Sequence, residues 1–261
     1  MTTPIRQSFA LDLFLRDGLT LDELLAGAGA IGYQAVDVFF PSPERLEEIH
    51  RTAQCHGISI SSLCGHHDLV HGLNDATQHE RIRTELRETI AAAERYGIPG
   101  LITFSGSAEG RGDDEAIEAC AEGLAPVVRM AEDAGVNLNM ELLNSRRDHP
   151  DYQCDHTVWG QRLCDAVGSP RVTLLYDIYH MQIMEGDLID TIRSHIGSIT
   201  HIHTAGNPGR GMVDDGQEIN YPAVCRAIAE TGYTGFVAHE LKTDLPPLEA
   251  LRICHRICDV P

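Results

Sequence analysis

The sequence predicts a single (β/α)8 barrel, and three observations carry that prediction. Eight short apolar runs alternate with eight helical patterns; the 261 residues match the ~250 typical of one such barrel; and no linker, low-complexity run or change of composition divides residues 1–261. Regular strand–helix alternation implies parallel strands, and eight such units imply closure. A doubly wound open sheet is the competing architecture, but the first strand–helix turn carries no GxGxxG.

Taken in order, Ser8-Phe9-Ala10-Leu11-Asp12-Leu13 reads as the first strand. Thr20-Leu21-Asp22-Glu23 is a capping-box pattern opening a helix with Leu21, Leu24, Leu25 and Ala28 on one face, stopped at Gly32. Ala35 to Phe40 is the second strand, ended by Pro41 and Pro43. After a helix over 44–56, Ile58 to Cys64 is the third strand, running into a loop with His66, His67, Asp68 and His71. Ile82, Leu86, Ile90 and Ala93 line one face of a helix over 78–96, and Gly100 to Ser105 is strand four. A helix over 113–134 precedes strand five, Val136 to Leu142; a helix over 157–167 precedes strand six, Val172 to Tyr176. Past Asp177 and His180 the chain turns at Gly186, with Asp187 as N-cap of a helix ending at His195. Strand seven, Ser198 to His203, a helix over 221–231, strand eight, Gly235 to Glu240, and a helix over 247–258 complete the series.

An apolar content of 43% and a charged content of 23% are ordinary for a globular domain. The formal net charge of −19 repels phosphate backbones and argues against nucleic-acid binding. The first residues lack the apolar run of a signal peptide, and no stretch of about 18 apolar residues occurs, so a cytoplasmic protein with no membrane span is expected. The eight cysteines form no CxxC pair; Cys254 and Cys258, one helical turn apart, read as small apolar residues on a buried face.

Alternation along the strands shows where chemistry collects. On strand five, Val136, Leu138, Met140 and Leu142 suit packing against helices, which turns Asn137, Asn139 and Glu141 inward. The same parity puts Asp177 with Thr173 and Leu175, His203 with His201 and Ile199, and Glu240 with Ala238 and Phe236. Four consecutive strands thus end in Glu141, Asp177, His203 and Glu240, at separations of 36, 26 and 37 residues, each about one strand–helix unit. Any one of them reads equally as a structural ion pair or solvated residue; all four together reach one barrel mouth. Three converging carboxylates repel unless a cation sits among them, and oxygen ligands with one imidazole suit one divalent ion, Mn, Mg or Co.

Around that mouth, His180 follows Asp177 by three residues and Arg210 sits in the glycine-flanked Asn207-Pro208-Gly209-Arg210-Gly211 loop. Both are candidate substrate contacts, against the plainer readings of a loop histidine and a solvated charge. His66, His67 and His71 read as polar loop residues rather than ligands, Trp159 and Tyr152 as pocket walls or core, and Glu185 as a salt-bridging residue near a helix start.

With these residues in hand, the chain resembles the hydroxypyruvate isomerase family of the xylose isomerase-like TIM barrels. The stretches that carry the likeness are Tyr176-Asp177-Ile178-Tyr179-His180-Met181-Gln182-Ile183-Met184-Glu185-Gly186-Asp187-Leu188, Pro208-Gly209-Arg210-Gly211 and Glu218-Ile219-Asn220-Tyr221-Pro222. The resemblance implies a metal site at Glu141, Asp177, His203 and Glu240, catalytic proton transfer by Glu141 and Glu240, and substrate contact by His180 and Arg210. Two positions depart from the pattern. Hydroxypyruvate isomerases often carry Gln where His203 stands, as related ketose 3-epimerases carry His. Those epimerases place a substrate-binding Glu where this chain has Arg147, preceded by Arg146.

The resemblance therefore implies a metal-dependent isomerase that interconverts a small hydroxy-aldehyde and hydroxy-ketone acid, of hydroxypyruvate or 2-oxo-tetronate type, through an enediolate. Arg210, or Arg146 and Arg147, would hold the carboxylate of such a sugar acid. A ketose 3-epimerase on the same metal site and a non-catalytic sugar-acid-binding barrel are the alternatives; paired glutamates weigh against a mere binder. A homo-oligomer formed through an exposed helix face stays open.

Overall fold

The strands of this protein are short and mostly buried, which is what a parallel sheet wrapped by helices demands. The computed structural model describes residues 3–260. Strands β1 (Arg6–Phe9), β2 (Ala35–Val38), β3 (Ser59–Cys64), β4 (Gly100–Thr103), β5 (Asn137–Glu141), β6 (Val172–Asp177), β7 (Ile199–Thr204) and β8 (Phe236–His239) form one sheet in the order β1-β8-β7-β6-β5-β4-β3-β2. All paired strands are parallel, and β1 returns to β8 with Ser8 beside Ala238. The remaining β1–β2 seam is held by the isolated Ala10–Asp37 bridge and a bond from the Gln34 N–H to the Gln7 carbonyl, leaving the barrel nearly closed.

The helices are α1 (Leu11–Phe14), α2 (Leu21–Ile31), α3 (Pro43–Cys55), α4 (His79–Tyr96), α5 (Asp113–Ala134), α6 (Thr157–Val167), α7 (Ile178–Met184), α8 (Leu188–His195), α9 (Tyr221–Glu230) and α10 (Pro247–Cys258). Local chemistry explains their limits. Thr20 and Glu23 form the reciprocal capping box of α2, Ser42 caps α3 with Pro43 following, and Gly97 and Gly135 end α4 and α5 at φ +68° and +71°. Buried Leu24, Ile49, Ile82, Leu86, Ile90 and Leu124 then fill the layer between helices and sheet.

The interior is polar as well as apolar. Asn139 accepts hydrogen bonds from Thr173 and Thr200 at 2.7 Å each, so the inward face of β5 is satisfied below the mouth. Below that layer a cavity of about 420 Å³ opens at the amino ends of the strands, lined in part by Arg6, Asn139, Thr200, His201 and Phe236.

Several local expectations change. The first strand is Arg6–Phe9, and Leu11 to Phe14 is a helical turn: Leu11 and Phe14, three apart, are the buried pair, while Asp12 accepts from the Phe39 N–H. His180 lies in helix α7 rather than in a loop. Asp187 stands at the N-cap position of α8 at φ +44°, and its side chain makes no capping bond. Ile199 does not share a face with His203, because a register shift pairs Ile199 with Leu174 but His201 with Leu175. Among the described residues no helix is long and apolar enough to cross a membrane.

Candidate metal and active site

Four adjacent strands deliver one side chain each to the barrel mouth. Glu141 is the last residue of β5, Asp177 the last of β6, His203 is next to last in β7, and Glu240 follows β8. Register aligns them: Asp177 lies beside His203, His203 beside Ala238, and the Glu240 N–H reaches the Thr204 carbonyl at 3.0 Å. One ligand atom from each of Glu141, Asp177, His203 and Glu240 lies within 4.8 Å of all the others. His203 Nδ1 is 3.0 Å from Glu240 Oε2 and 3.4 Å from Glu141 Oε1.

The electrostatics show how tightly the carboxylates are crowded. Burial, then the neighbouring Glu240 charge, raises Asp177 to about 6. Burial acts against the Glu240 carboxylate too, but Arg210 and His203 outweigh it and hold Glu240 at about 2. Asp177 Oδ1 caps α7 by accepting the His180 N–H at 3.0 Å, whereas its Oδ2 is buried with no hydrogen-bond partner among the described residues. An orphan carboxylate oxygen among two further carboxylates and an imidazole costs several kcal/mol unless a cation meets it. The donor set therefore fits a divalent ion.

His180 is prepared as a neutral donor. Its Nδ1 accepts from the Asn144 backbone N–H at 3.2 Å and faces the Asn144 Nδ2 at 2.6 Å. The amide orientation is set by Asn144 Oδ1, which accepts from the Arg147 and Asp148 N–H groups at 2.9 Å. With Nδ1 accepting, the proton resides on Nε2, which is buried, unpartnered and 3.8 Å from Asp177 Oδ2. Burial, reinforced by Arg210, lowers His180 to about 4 and keeps the ring neutral.

Arg210 arrives on the loop after β7. Gly206 and Gly211 pair across its base, and the Lys242 N–H bonds the Arg210 carbonyl at 2.8 Å. Its backbone lies at φ +56°, a conformation costing about 1–3 kcal/mol for a non-glycine residue, and its guanidinium pairs with Glu240 Oε1 at 2.7 Å. The Tyr221 hydroxyl buttresses the exit of β7, donating to the Ala205 carbonyl at 2.7 Å and accepting its N–H at 3.1 Å.

Other expected contacts have different work. His66 is buried, and its ring joins the His67 carbonyl to the Phe104 N–H. His67 stacks on Phe40 and lies 3.6 Å from Glu85, and His71 pairs with Asp68 at 2.6 Å. Arg146 donates to the Ile183 carbonyl at 2.7 Å, and the exposed Arg147 side chain makes no ion pair or hydrogen bond among the described residues. Neither arginine touches the four-residue cluster. Trp159 belongs to the core, whereas the Tyr152 hydroxyl ties the ends of β4 and β5 by donating to the Glu141 carbonyl and accepting the Ser105 N–H. Glu185 makes no salt bridge among the described residues; it accepts the N–H and hydroxyl of Thr157 at the start of α6. Cys254 and Cys258 are buried, as expected.

Sequence reasoning missed Asn144 and Asp37. Asp37 Oδ2 accepts from His201 Nε2 at 2.7 Å and from His203 Nε2 at 3.0 Å. The available signal was a carboxylate inside the apolar Ala35-Val36-Asp37-Val38 run. No local pattern marked Asn144.

Residues 25–254 match the family model described as xylose isomerase-like TIM barrel. The chain is 30% identical to hydroxypyruvate isomerase of Escherichia coli K12 over 237 residues, spanning 86% of this chain and 89% of that one. It is 29% identical to 2-oxo-tetronate isomerase of Cupriavidus necator, spanning 83% and 85%. An L-ribulose 3-epimerase structure superposes with a TM-score of 0.80 at 18% identity, covering 97% of this chain and 92% of the other, a likeness of fold alone. The chain belongs to the xylose isomerase-like TIM barrels, in their hydroxypyruvate isomerase family.

Proposed function

We propose that this protein, as one functional domain over residues 1–261, is a divalent-metal-dependent isomerase. Its substrate is a small acid, of hydroxypyruvate or 2-oxo-tetronate type, that exists as hydroxy-aldehyde and hydroxy-ketone isomers. The observation that carries the reading is the convergence of Glu141, Asp177, His203 and Glu240 within 4.8 Å around the orphan Asp177 oxygen. The names of the bacterial relatives support the substrate class.

In this reading those four residues hold one Mn, Mg or Co ion, which when bound supplies Lewis-acid polarisation of a carbonyl group. The chain's own groups do the rest. One of Glu141 and Glu240, as the carboxylate, takes the proton from the hydroxyl-bearing carbon beside the carbonyl, giving an enediolate. The other, protonated, gives its own proton to the former carbonyl carbon, the hydroxyl proton passes to the former carbonyl oxygen, and exchange with solvent restores both glutamates. His180 donates its Nε2–H to a substrate oxygen where negative charge develops. Arg210 keeps Glu240 ionised and offers its remaining N–H groups to the substrate carboxylate.

The test is solvent exchange. With Mn²⁺, Mg²⁺ or Co²⁺ supplied in D2O, hydroxypyruvate or a 2-oxo-tetronate should isomerise with deuterium appearing on carbon. No exchange with any such acid and any of the three ions overturns the reading. His203 at the third ligand position favours a second reading, a ketose 3-epimerase; turnover of neutral ketoses in preference to the acids would establish it.

A further inference from the structure

Both nitrogens of the His203 ring are engaged. Nδ1 faces Glu240 and Glu141 at 3.0 and 3.4 Å, and Nε2 lies 3.0 Å from Asp37 Oδ2 on the opposite side of the ring. Asp37 comes from β2, outside the run of strands that supplies the four-residue cluster, and is fully buried. Its seat is over-determined. Ser61 donates to its Oδ1, His201 shares its Oδ2, and its backbone carries the Ala10 bridge that closes the barrel seam. A register shift between Val36 and Asp37 places it beside Ser62. An interior carboxylate is costly even when hydrogen-bonded, and an apolar side chain would pack the same space at lower cost.

We infer that Asp37 is the positioning residue of the metal site: by accepting the Nε2 proton of His203 it fixes the ring and leaves Nδ1 free to bind a divalent ion. This rests on the metal-dependent reading above. Ligating histidines need such a carboxylate or carbonyl partner to set their tautomer and orientation. Ser61 and His201 then hold the holder. Asp37, His201 and His203 also lie close enough to one another to take an ion themselves. However, every carboxylate oxygen of Asp37 already has a hydrogen-bond donor, unlike Asp177 Oδ2, so this trio is a hydrogen-bonded support rather than a second ion site.

Calorimetric titration of the full chain with Mn²⁺ tests the inference, alongside His203→Ala, Asp37→Ala, Asp37→Asn and Ser61→Ala. One ion per wild-type chain is expected, with affinity lowered about 10–100-fold in Asp37→Ala. Asp37→Asn, whose amide oxygen still accepts from Nε2, should recover part of that loss, and Ser61→Ala should lose only a few-fold. In Mg²⁺-saturated, ¹⁵N-histidine-labelled protein, His203 should carry its proton on Nε2 in the wild type and lose that fixed signature in Asp37→Ala. If Asp37→Ala does not fold, the graded losses in Asp37→Asn and Ser61→Ala decide. Absent Mn²⁺ binding in the wild type, or unchanged binding in His203→Ala, overturns the metal reading and Asp37's role with it. Weakened binding in His203→Ala with wild-type affinity and ring signals in the Asp37 variants overturns the positioning role alone. Two ions per chain overturns it as well.

Discussion

The two halves of the barrel use polar residues differently. On β1 to β4 and their loops, histidines at the mouth end on protein partners: both nitrogens of His66 face backbone groups, His71 faces Asp68, and His67 lies beside Glu85. On β5 to β8 the corresponding groups are left open, with Asp177 Oδ2 and His180 Nε2 buried and unpartnered. Residue type does not separate the halves, since each is rich in histidine and acid. What separates the histidines and carboxylates at the two sides of the mouth is whether their hydrogen-bonding capacity is spent within the fold. Asp37 crosses this division, with its capacity spent on His203 itself.

The sharpest way to break the comparison is to mutate one mouth residue from each half. Glu141→Gln preserves shape but removes a proton acceptor, and kcat should fall about 10²–10⁴-fold. His66→Gln should leave kcat within about two-fold while costing about 1–3 kcal/mol of stability for the buried bonds it breaks. Initial rates with saturating metal, paired with thermal melts, check both. Similar losses of turnover in the two variants would erase the distinction.

A smaller effect tests the orientation of His180. His180→Ala removes the open Nε2 donor and should lower kcat about 10²–10³-fold. Asn144→Ala leaves the ring but removes one of the two groups that fix its tautomer, so a loss nearer ten-fold is expected, with the backbone N–H still in place. If Asn144→Ala matched His180→Ala, Asn144 would itself contact substrate; if it had no effect, the backbone bond alone would fix the ring.

The fold and the cluster were legible in the sequence for the same reason: both are written in short periods. Parity on β5 sets Leu138 and Met140 against Asn139 and Glu141, and the spacing of one strand–helix unit brings Glu141, Asp177, His203 and Glu240 to one end. Parity failed at Ile199, where a register shift intervenes, and at Leu11 to Phe14, where alternating apolar residues fold as a helical turn. Asn144 was out of reach and Asp37 was marked only as a carboxylate in an apolar strand, because their partners lie 36 and 166 residues distant in sequence. The chain turns after β5 and carries Arg146 to the Ile183 carbonyl, a pairing that its closeness in sequence to Glu141 does not reveal.

The smallest expected effect concerns acid stability in the half that carries no ligand. Burial lowers His66 from an ordinary 6.5 to about 4. Between those values the unfolded chain binds the proton more readily than the folded one, so stability rises with pH across that window. The contribution is complete above about 6.5 and is lost as pH falls toward 4, at most on the order of 3 kcal/mol. Burial also lowers His239 to about 3 and His180 to about 4, so His66 supplies one share of the acid sensitivity. His66→Gln has no proton to gain there. Its melting temperature, lower than wild type at pH 7, should fall less steeply between pH 7 and pH 5. Parallel curves for the two proteins would mean that His66 is not held neutral by its burial, and that its ring is as open to solvent as a free loop histidine.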